Sequence, residues 1–442
     1  MAKRFGLWGP SRRRAIFLSP AATQGGSDNP ELRTSRRHQH IRFELAGAFT
    51  ADSTKIAPSS LVFAPAPRLQ ATRSINPPVN SIARTLICFI ALNDLPSNAQ
   101  EPSAGARWLQ SLPPVPSFSA PVSPEAWNLQ RAEIRHKLQT LLGDLPPRPA
   151  ARPVLLWRED RGTYWLEKFE FDNGAAETVR GYFFLPKGAT PDRKAPGVLY
   201  CHWHGGQYAI GKDEMLGTNA TPVPPGPALA EQGFAVLGID ACGFGERNGA
   251  GPDGTAQRGN PGELSAAKFN LWAGRTLWGM ILRDDLTALD ILAARSDVDA
   301  TRIGVTGISM GSTRTWWLMA LDDRPKTGVA VGCMTRYREL IETGMLKAHG
   351  IYYFVPGMLR HFDSEAVIAC AAPRPMLFMT GDSDGGSPVE GIRAITRAVE
   401  PVYAALGARE AFSSQIEPNT GHVYLPGMWE RTVAWLKKQL AP

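Results

Sequence analysis

Residues 304–312 read GVTGISMGS, which places Ser309 between Gly307 and Gly311 directly after an apolar, β-branched run. This is the G-x-S-x-G spacing of a nucleophile elbow, a tight turn from strand to helix that carries a serine. The glycines follow from the tightness, because a Cβ at either flank would strike the neighbouring strand or helix. Such a turn lifts the serine Oγ clear of the carboxyl edge of a sheet, above a helix amino terminus that favours developing negative charge. The chemistry open to it is covalent: attack on an acyl carbon, followed by release of the acyl group. A lone G-x-S-x-G also arises by chance as a mere turn. Its position between a strand-like and a helix-like run favours the nucleophile.

A serine at its free pKa is a weak nucleophile, so the reading requires an orienting acid and then a base further along the chain. His422, in NTGHVYLPGMWERTVAWL, follows a glycine in a loop just before the last helical run, from where it can reach over the sheet edge as the base. For the acid, Asp382 and Asp384 both fall in DSDGGSP after the run PMLFMTG. Asp384 is preferred, since with Gly381 and Pro388 it forms G-x-x-D-x-x-x-P, which resembles the acid loop of many hydrolases. Asp382 is then expected to hydrogen-bond the turn. A calcium-loop reading of DSDGG lacks its later ligands. The oxyanion of a tetrahedral intermediate needs two donors. One is the backbone N–H of Met310, and the other is expected from YCHWHGGQY, at Gly206 or Gln207, with His204 anchoring the loop. His202 and His204 as metal ligands would need a third ligand, and none follows at recognisable spacing.

The elements that must hold these residues are legible in outline. SPEAWNLQRAEIRHKLQTLLG reads as one amphipathic helix with a serine cap, ending at Gly143. YWLEKFEFD and TVRGYFFLP alternate as half-exposed antiparallel strands and form a hairpin at a sheet edge. GVLYCHW, FAVLGID, RIGVTG, VAVGCM and PMLFMTG are short, nearly continuous apolar runs, the pattern of strands buried on both faces. Helical patterns separate them, in ILRDDLTALDILAAR, STRTWWLMAL and GIRAITRAVEPVYAALG, and ERTVAWLKKQL follows the last strand. Alternating strand and helix implies a mostly parallel α/β sheet covered on both faces.

In GIDACGFGERNG, Asp240, Glu246 and Arg247 are read mainly as structural, with the adjacent Glu246 and Arg247 forming a local ion pair and Arg247 on the substrate as the lesser alternative. The stretches 248–280 and 335–362 are expected to be irregular segments forming a rim or lid. Their Trp272, Trp278, Tyr352, Tyr353 and Phe354 are either pocket-lining or ordinary packing aromatics.

The chain of 442 residues has a formal charge of +7, but Met1 to Pro78 holds 12 Lys/Arg against 4 Asp/Glu, which leaves the remaining 364 residues at −1. The main body therefore has no basic field for phosphate backbones, and no nucleic-acid partner is expected. No apolar run is long enough for a membrane span. The five cysteines, Cys88, Cys201, Cys242, Cys333 and Cys370, show no CxxC pairing and are read as core thiols, with one disulfide left open. Residues 79–99 contain Arg84, the apolar stretch Leu86–Leu92, and Ser97 and Ala99 at small-residue spacing, the pattern of a short signal peptide. That reading directs the protein to the periplasm or outside the cell and makes the preceding residues a mis-assigned start, with Val79 as the true one. The alternative is a disordered tail of a cytoplasmic protein. Residues 1–100 are thus assigned to tail and signal, 101–117 to a linker, and 118–442 to one catalytic domain.

The segment from about Phe118 to Pro442 resembles the α/β-hydrolase superfamily, in particular the esterases grouped around acetyl xylan esterase and dienelactone hydrolase. HWHGG, GIDACGFGER, RSDVDATRIGVTGISMG, APRPMLFMTGDSD and GHVY occur in the order that family uses. The resemblance implies an eight-stranded, mostly parallel sheet with Ser309, Asp384 and His422 as a triad. It implies hydrolysis of a carboxylic ester of a small molecule or carbohydrate, with no cofactor or metal. Dienelactone hydrolases use cysteine where this chain has Ser309, which speaks against that substrate. The alternatives are a serine peptidase of the prolyl-oligopeptidase type, against which the absence of propeller-like repeats argues, and a hydrolase-fold protein that binds without turnover.

Overall fold

A computed structural model describes residues 101–150 and 152–441, in which a single nine-stranded sheet runs through the molecule. The strands are β1 (Val154–Asp160), β2 (Tyr164–Asp172), β3 (Thr178–Pro186), β4 (Ala195–Cys201), β5 (Ala235–Ile239), β6 (Val298–Ile308), β7 (Pro325–Val331), β8 (Met376–Gly381) and β9 (Phe412–Glu417). Their spatial order is β1-β2-β3-β5-β4-β6-β7-β8-β9. The pairs β1–β2, β2–β3 and β3–β5 are antiparallel, and every pair from β5 to β9 is parallel. The α/β class expected from the alternating pattern is therefore the observed one.

The helices are α1 (Ala104–Gln110), α2 (Pro124–Leu142), α3 (Pro225–Glu231), α4 (Asn260–Trp272), α5 (Leu277–Ala294), α6 (Met310–Leu321), α7 (Tyr337–Glu342), α8 (Ser364–Ala369), α9 (Val389–Ala405) and α10 (Pro426–Gln439). Two apolar clusters cover the two faces of the sheet. One joins α2, α5, α6, α8 and α9, with Trp278, Trp316 and Trp317 at its centre. The other places α3 and α10 against Val198, Val236 and Val329. Burial on both sides explains why β5, β7 and β8 read as continuous apolar runs rather than alternating ones.

Four features differ from the sequence expectation. The sheet has nine strands rather than eight: β1 is exposed along its whole length, so its sequence VLLWRED carries no burial pattern to read. The hairpin β2–β3 consequently lies inside the edge, and its polar side chains are spent on ion pairs, Lys168 with Glu246 at 2.8 Å and Glu167 with Arg295 at 2.8 Å. The stretch 101–117 is not all linker, because Ser103 caps α1 and its hydroxyl donates to Glu342 O at 2.6 Å. Within 248–280, taken as irregular, lies α4, whose buried face is Glu263, Ala266, Ala267 and Asn270 while Leu264, Phe269, Leu271 and Trp272 point outward. Hydrophobic periodicity has nothing to detect in such a helix.

Cys201, Cys242, Cys333 and Cys370 are free thiols, and no helix of the described residues is long and apolar enough to cross a membrane. The signal-like segment 79–99 and Cys88 lie outside the described residues.

Candidate active site

The strand order places β4 between β5 and β6, so the chain leaves the carboxyl ends of β4 and β6 in different directions and opens a crevice between their loops. Ser309 stands at the end of β6 with φ 59° and ψ −118°, a left-handed conformation that a residue with a Cβ adopts only under tertiary constraint. The constraint is β4. A Cβ on Gly307 would lie 2.2 Å from Cys201 O, and one on Gly311 would lie 1.9 Å from the same atom. Backbone cannot yield as a side chain can, so Gly311→Ala is expected to destabilise the fold by roughly 2–3 kcal/mol, read from urea unfolding. The Ser309 N–H is held by Val331 O at 2.9 Å, and Ser312 Oγ donates to Gly332 O at 2.5 Å, which ties the turn to β7. Ser309 thus follows directly from β6 and precedes the first residue of α6.

His422 and Asp384 meet over this serine's cavity. His422 Nδ1 lies 2.7 Å from Asp384 Oδ2, and Asp384 Oδ1 accepts the Gly386 N–H at 2.9 Å. The Asp384 side chain is 2% exposed and the His422 side chain 35%. Because Asp384 accepts a hydrogen bond from Nδ1–H, the His422 Nε2 is left with its lone pair. The two loops touch so closely that a Cβ on Gly381 would lie 2.0 Å from Thr420 O. Asp382 is exposed and accepts hydrogen bonds from Ser383 Oγ at 2.9 Å and from the Thr420 N–H at 3.2 Å, which hold the turn. The backbone donors around it keep its carboxyl below the usual range.

Ser309, Asp384 and His422 line one cavity of about 340 Å³. Gly205, Gly206 and His204 form one side of it. Met345, Ala348, His349 and Tyr352, from the segment after α7, form the other. Cys333 also lines it, but burial pushes its thiol far above the usual range, so it stays protonated.

Neither loop residue expected to supply the second oxyanion donor has its N–H free. Gly206 N–H donates to His204 Nδ1 at 3.0 Å, and Gln207 N–H donates to His204 O at 2.9 Å. His204 therefore carries its proton on Nε2, 2.8 Å from Glu263 Oε2 on α4. The N–H of Gly205 has no hydrogen-bond partner among the described residues, and Gly205 lines the cavity at φ 52°. Met310, as the first residue of α6, has an N–H without an intrahelical acceptor.

Most of the remaining singled-out residues lie outside this cavity. His202 accepts the Ala241 N–H at 3.0 Å through Nε2 and donates to Trp203 O at 2.7 Å. Burial, reinforced by Arg314, keeps its imidazole neutral. Glu246 and Arg247 form ion pairs, but not with each other: Glu246 binds Lys168 and Lys212, and Arg247 binds Glu177 and Asp284. Arg247 is buried outside the catalytic-size cavity. Of the five rim aromatics only Tyr352 lines it; Trp272 is 95% exposed and Trp278 belongs to the core. The sequence reading missed His349. Its only signal was a histidine beside a glycine in a rim segment, a pattern that seldom singles out a site residue.

Behind the β4 loop lies Glu214, buried, accepting Tyr200 Oη–H at 2.5 Å and Trp203 N–H at 2.7 Å. Burial raises its carboxyl to about 7. The folded state then holds a proton that the unfolded state releases near pH 4.5. The resulting stability is present below pH 4.5 and lost as pH rises to about 7, a contribution of roughly 3 kcal/mol. Between pH 5 and 8, wild-type protein should therefore lose stability relative to Glu214→Gln in urea titrations. A difference between the two that does not vary with pH would contradict the assignment.

The chain resembles known proteins over most of the described length. The Abhydrolase family model matches residues 105–400, a span that holds Ser309 and Asp384. YtaP of Bacillus subtilis (strain 168), provisionally named a hydrolase, is 36% identical over 312 residues, covering 70% of this chain and all of that protein. Among solved structures, a protein of Bacteroides fragilis provisionally named an acetyl xylan esterase superposes with a TM-score of 0.57 at 20% identity, over 73% of this chain and 92% of that one. A glucuronoyl esterase from Solibacter usitatus does so with a TM-score of 0.54 at 17% identity, over 74% and 98%. At these identities the solved structures speak to the fold alone. The extent of the family match and the identity to YtaP place the chain in the Abhydrolase family, with the α/β-hydrolase fold.

Proposed function

We propose that the protein is a serine carboxylesterase acting through an acyl-enzyme. The observation that carries the proposal is the 2.7 Å bond from His422 Nδ1 to Asp384 on the wall of the cavity that Ser309 lines. His422 Nε2 takes the proton from Ser309 Oγ as the oxygen attacks the ester carbonyl, and Asp384 stabilises the imidazolium. The N–H groups of Met310 and Gly205 receive the oxyanion; the bonds already made by Gly206 and Gln207 favour Gly205 over both. His422 then protonates the leaving alcohol, and a water activated by the same imidazole releases the acid.

A cavity of about 340 Å³ suits a short acyl group and a small alcohol rather than a long chain. Acetyl esters of carbohydrates are the substrates we favour, in keeping with the solved relatives named as carbohydrate esterases. The test is hydrolysis of p-nitrophenyl acetate and butyrate by the purified protein. Turnover with acetate preferred is expected. A folded protein that turns over neither, nor any acetylated sugar, would overturn the proposal in favour of binding without catalysis.

A further inference from the structure

Besides His422, two imidazoles line the cavity that the mechanism does not use, His204 and His349. His349 Nε2 lies 2.8 Å from Gly386 O, and a carbonyl can only accept, so the proton sits on Nε2 and Nδ1 carries a lone pair. Two contacts hold the ring in this orientation. It stacks on Tyr353 with centroids 4.2 Å apart and an interplanar angle of 11°, and the Gly386 carbonyl is itself held by Thr335 Oγ1 at 2.8 Å. His349 lines the cavity, and its Nδ1 has no hydrogen-bond partner among the described residues. Burial lowers its pKa, in keeping with the neutral ring that the Gly386 contact requires.

The surroundings make this nitrogen conspicuous. Met345 and Ala348 line the same cavity, and the nitrogens of His204 are both engaged. An acceptor held in a cavity wall without a partner favours a ligand that brings a donor to it. We propose that His349 Nδ1 accepts a hydrogen bond from a free hydroxyl on the alcohol portion of the substrate, so that the site selects monoesters of polyols over esters of simple alcohols. This rests on the esterase reading and names the feature of the substrate that His349 recognises.

The test compares two esters that differ only in hydroxyls, glycerol 1-acetate and propyl acetate, with p-nitrophenyl acetate turnover reporting separately on the esterase reading. Wild-type kcat/KM should favour the glycerol ester by about tenfold, the usual scale of one hydrogen bond. In His349→Gln the amide nitrogen can still reach Gly386 O, but nothing occupies the Nδ1 position, so the preference should collapse toward unity, mainly through KM for the glycerol ester. His349→Asn reverses the arrangement: it retains a polar atom near Nδ1 and gives up the Gly386 bond, so both esters should fall together with the preference kept. The proposal is overturned if wild type turns over p-nitrophenyl acetate but shows no preference, or if His349→Gln keeps it. It is also overturned if His349→Gln lowers both esters equally, which would make His349 a positioning residue that acts on Asp384 through Gly386. No turnover of any ester by wild type would instead strike at the esterase reading.

Discussion

Ser309→Ala should lower kcat for p-nitrophenyl acetate by on the order of 10^5-fold while leaving the fold intact. The size follows from the loss of the nucleophile, after which only binding and the oxyanion donors accelerate attack by water. The intact fold follows from the local structure. Ser309 makes no side-chain capping bond to α6, and alanine meets the left-handed conformation with the same Cβ that serine does. Glycine would be a poorer control, because it relieves the strain that shapes the turn. Circular dichroism and urea unfolding of both proteins check the second half of the expectation.

Asp384→Asn should cost about 10^3- to 10^4-fold in kcat, and Asp382→Asn no more than a few-fold. An amide at position 384 can present its NH₂ to His422 and turn the imidazole to the unproductive tautomer, with the geometry otherwise kept. Asp384 is buried and bonded to the ring, whereas Asp382 is exposed and bonded to Ser383 and Thr420. An exposed acceptor in a turn has water to replace it. Equal losses in the two variants, with both proteins folded, would remove the assignment of Asp384 as the orienting acid.

What could be read in advance depended on how local the cause was. The elbow was legible because Gly307 and Gly311 answer to one contact, the Cys201 carbonyl, which a strand beside any such turn would supply. The meeting of Asp384 with His422 was legible from chain order together with the spacing of Asp384 from Gly381 and Pro388, since order alone left Asp382 open as well. The boundaries of α2 were visible in Ser123 and Gly143, which occupy its two caps. The bond that occupies the Gly206 N–H was not legible, because it is made to the ring of His204, and what sets that ring is Glu263, 59 residues away on α4. α4 was hidden in turn, since its buried face is built from alanines and polar residues. β1 was hidden because neither of its faces is covered. His349 reaches the cavity only because the segment after α7 folds back against Gly386, and no spacing in the sequence encodes that contact.

If Ser309 is a nucleophile activated by His422 and Asp384, it should react with an electrophile that ordinary serines ignore. The most direct measurement is to react the folded protein with a fluorophosphonate, digest it and locate the adduct by mass spectrometry. A single adduct is expected on the peptide containing Ser309, absent from heat-denatured protein and formed far more slowly in Asp384→Asn. A folded protein that forms no adduct, or forms it on another residue, would contradict that assignment.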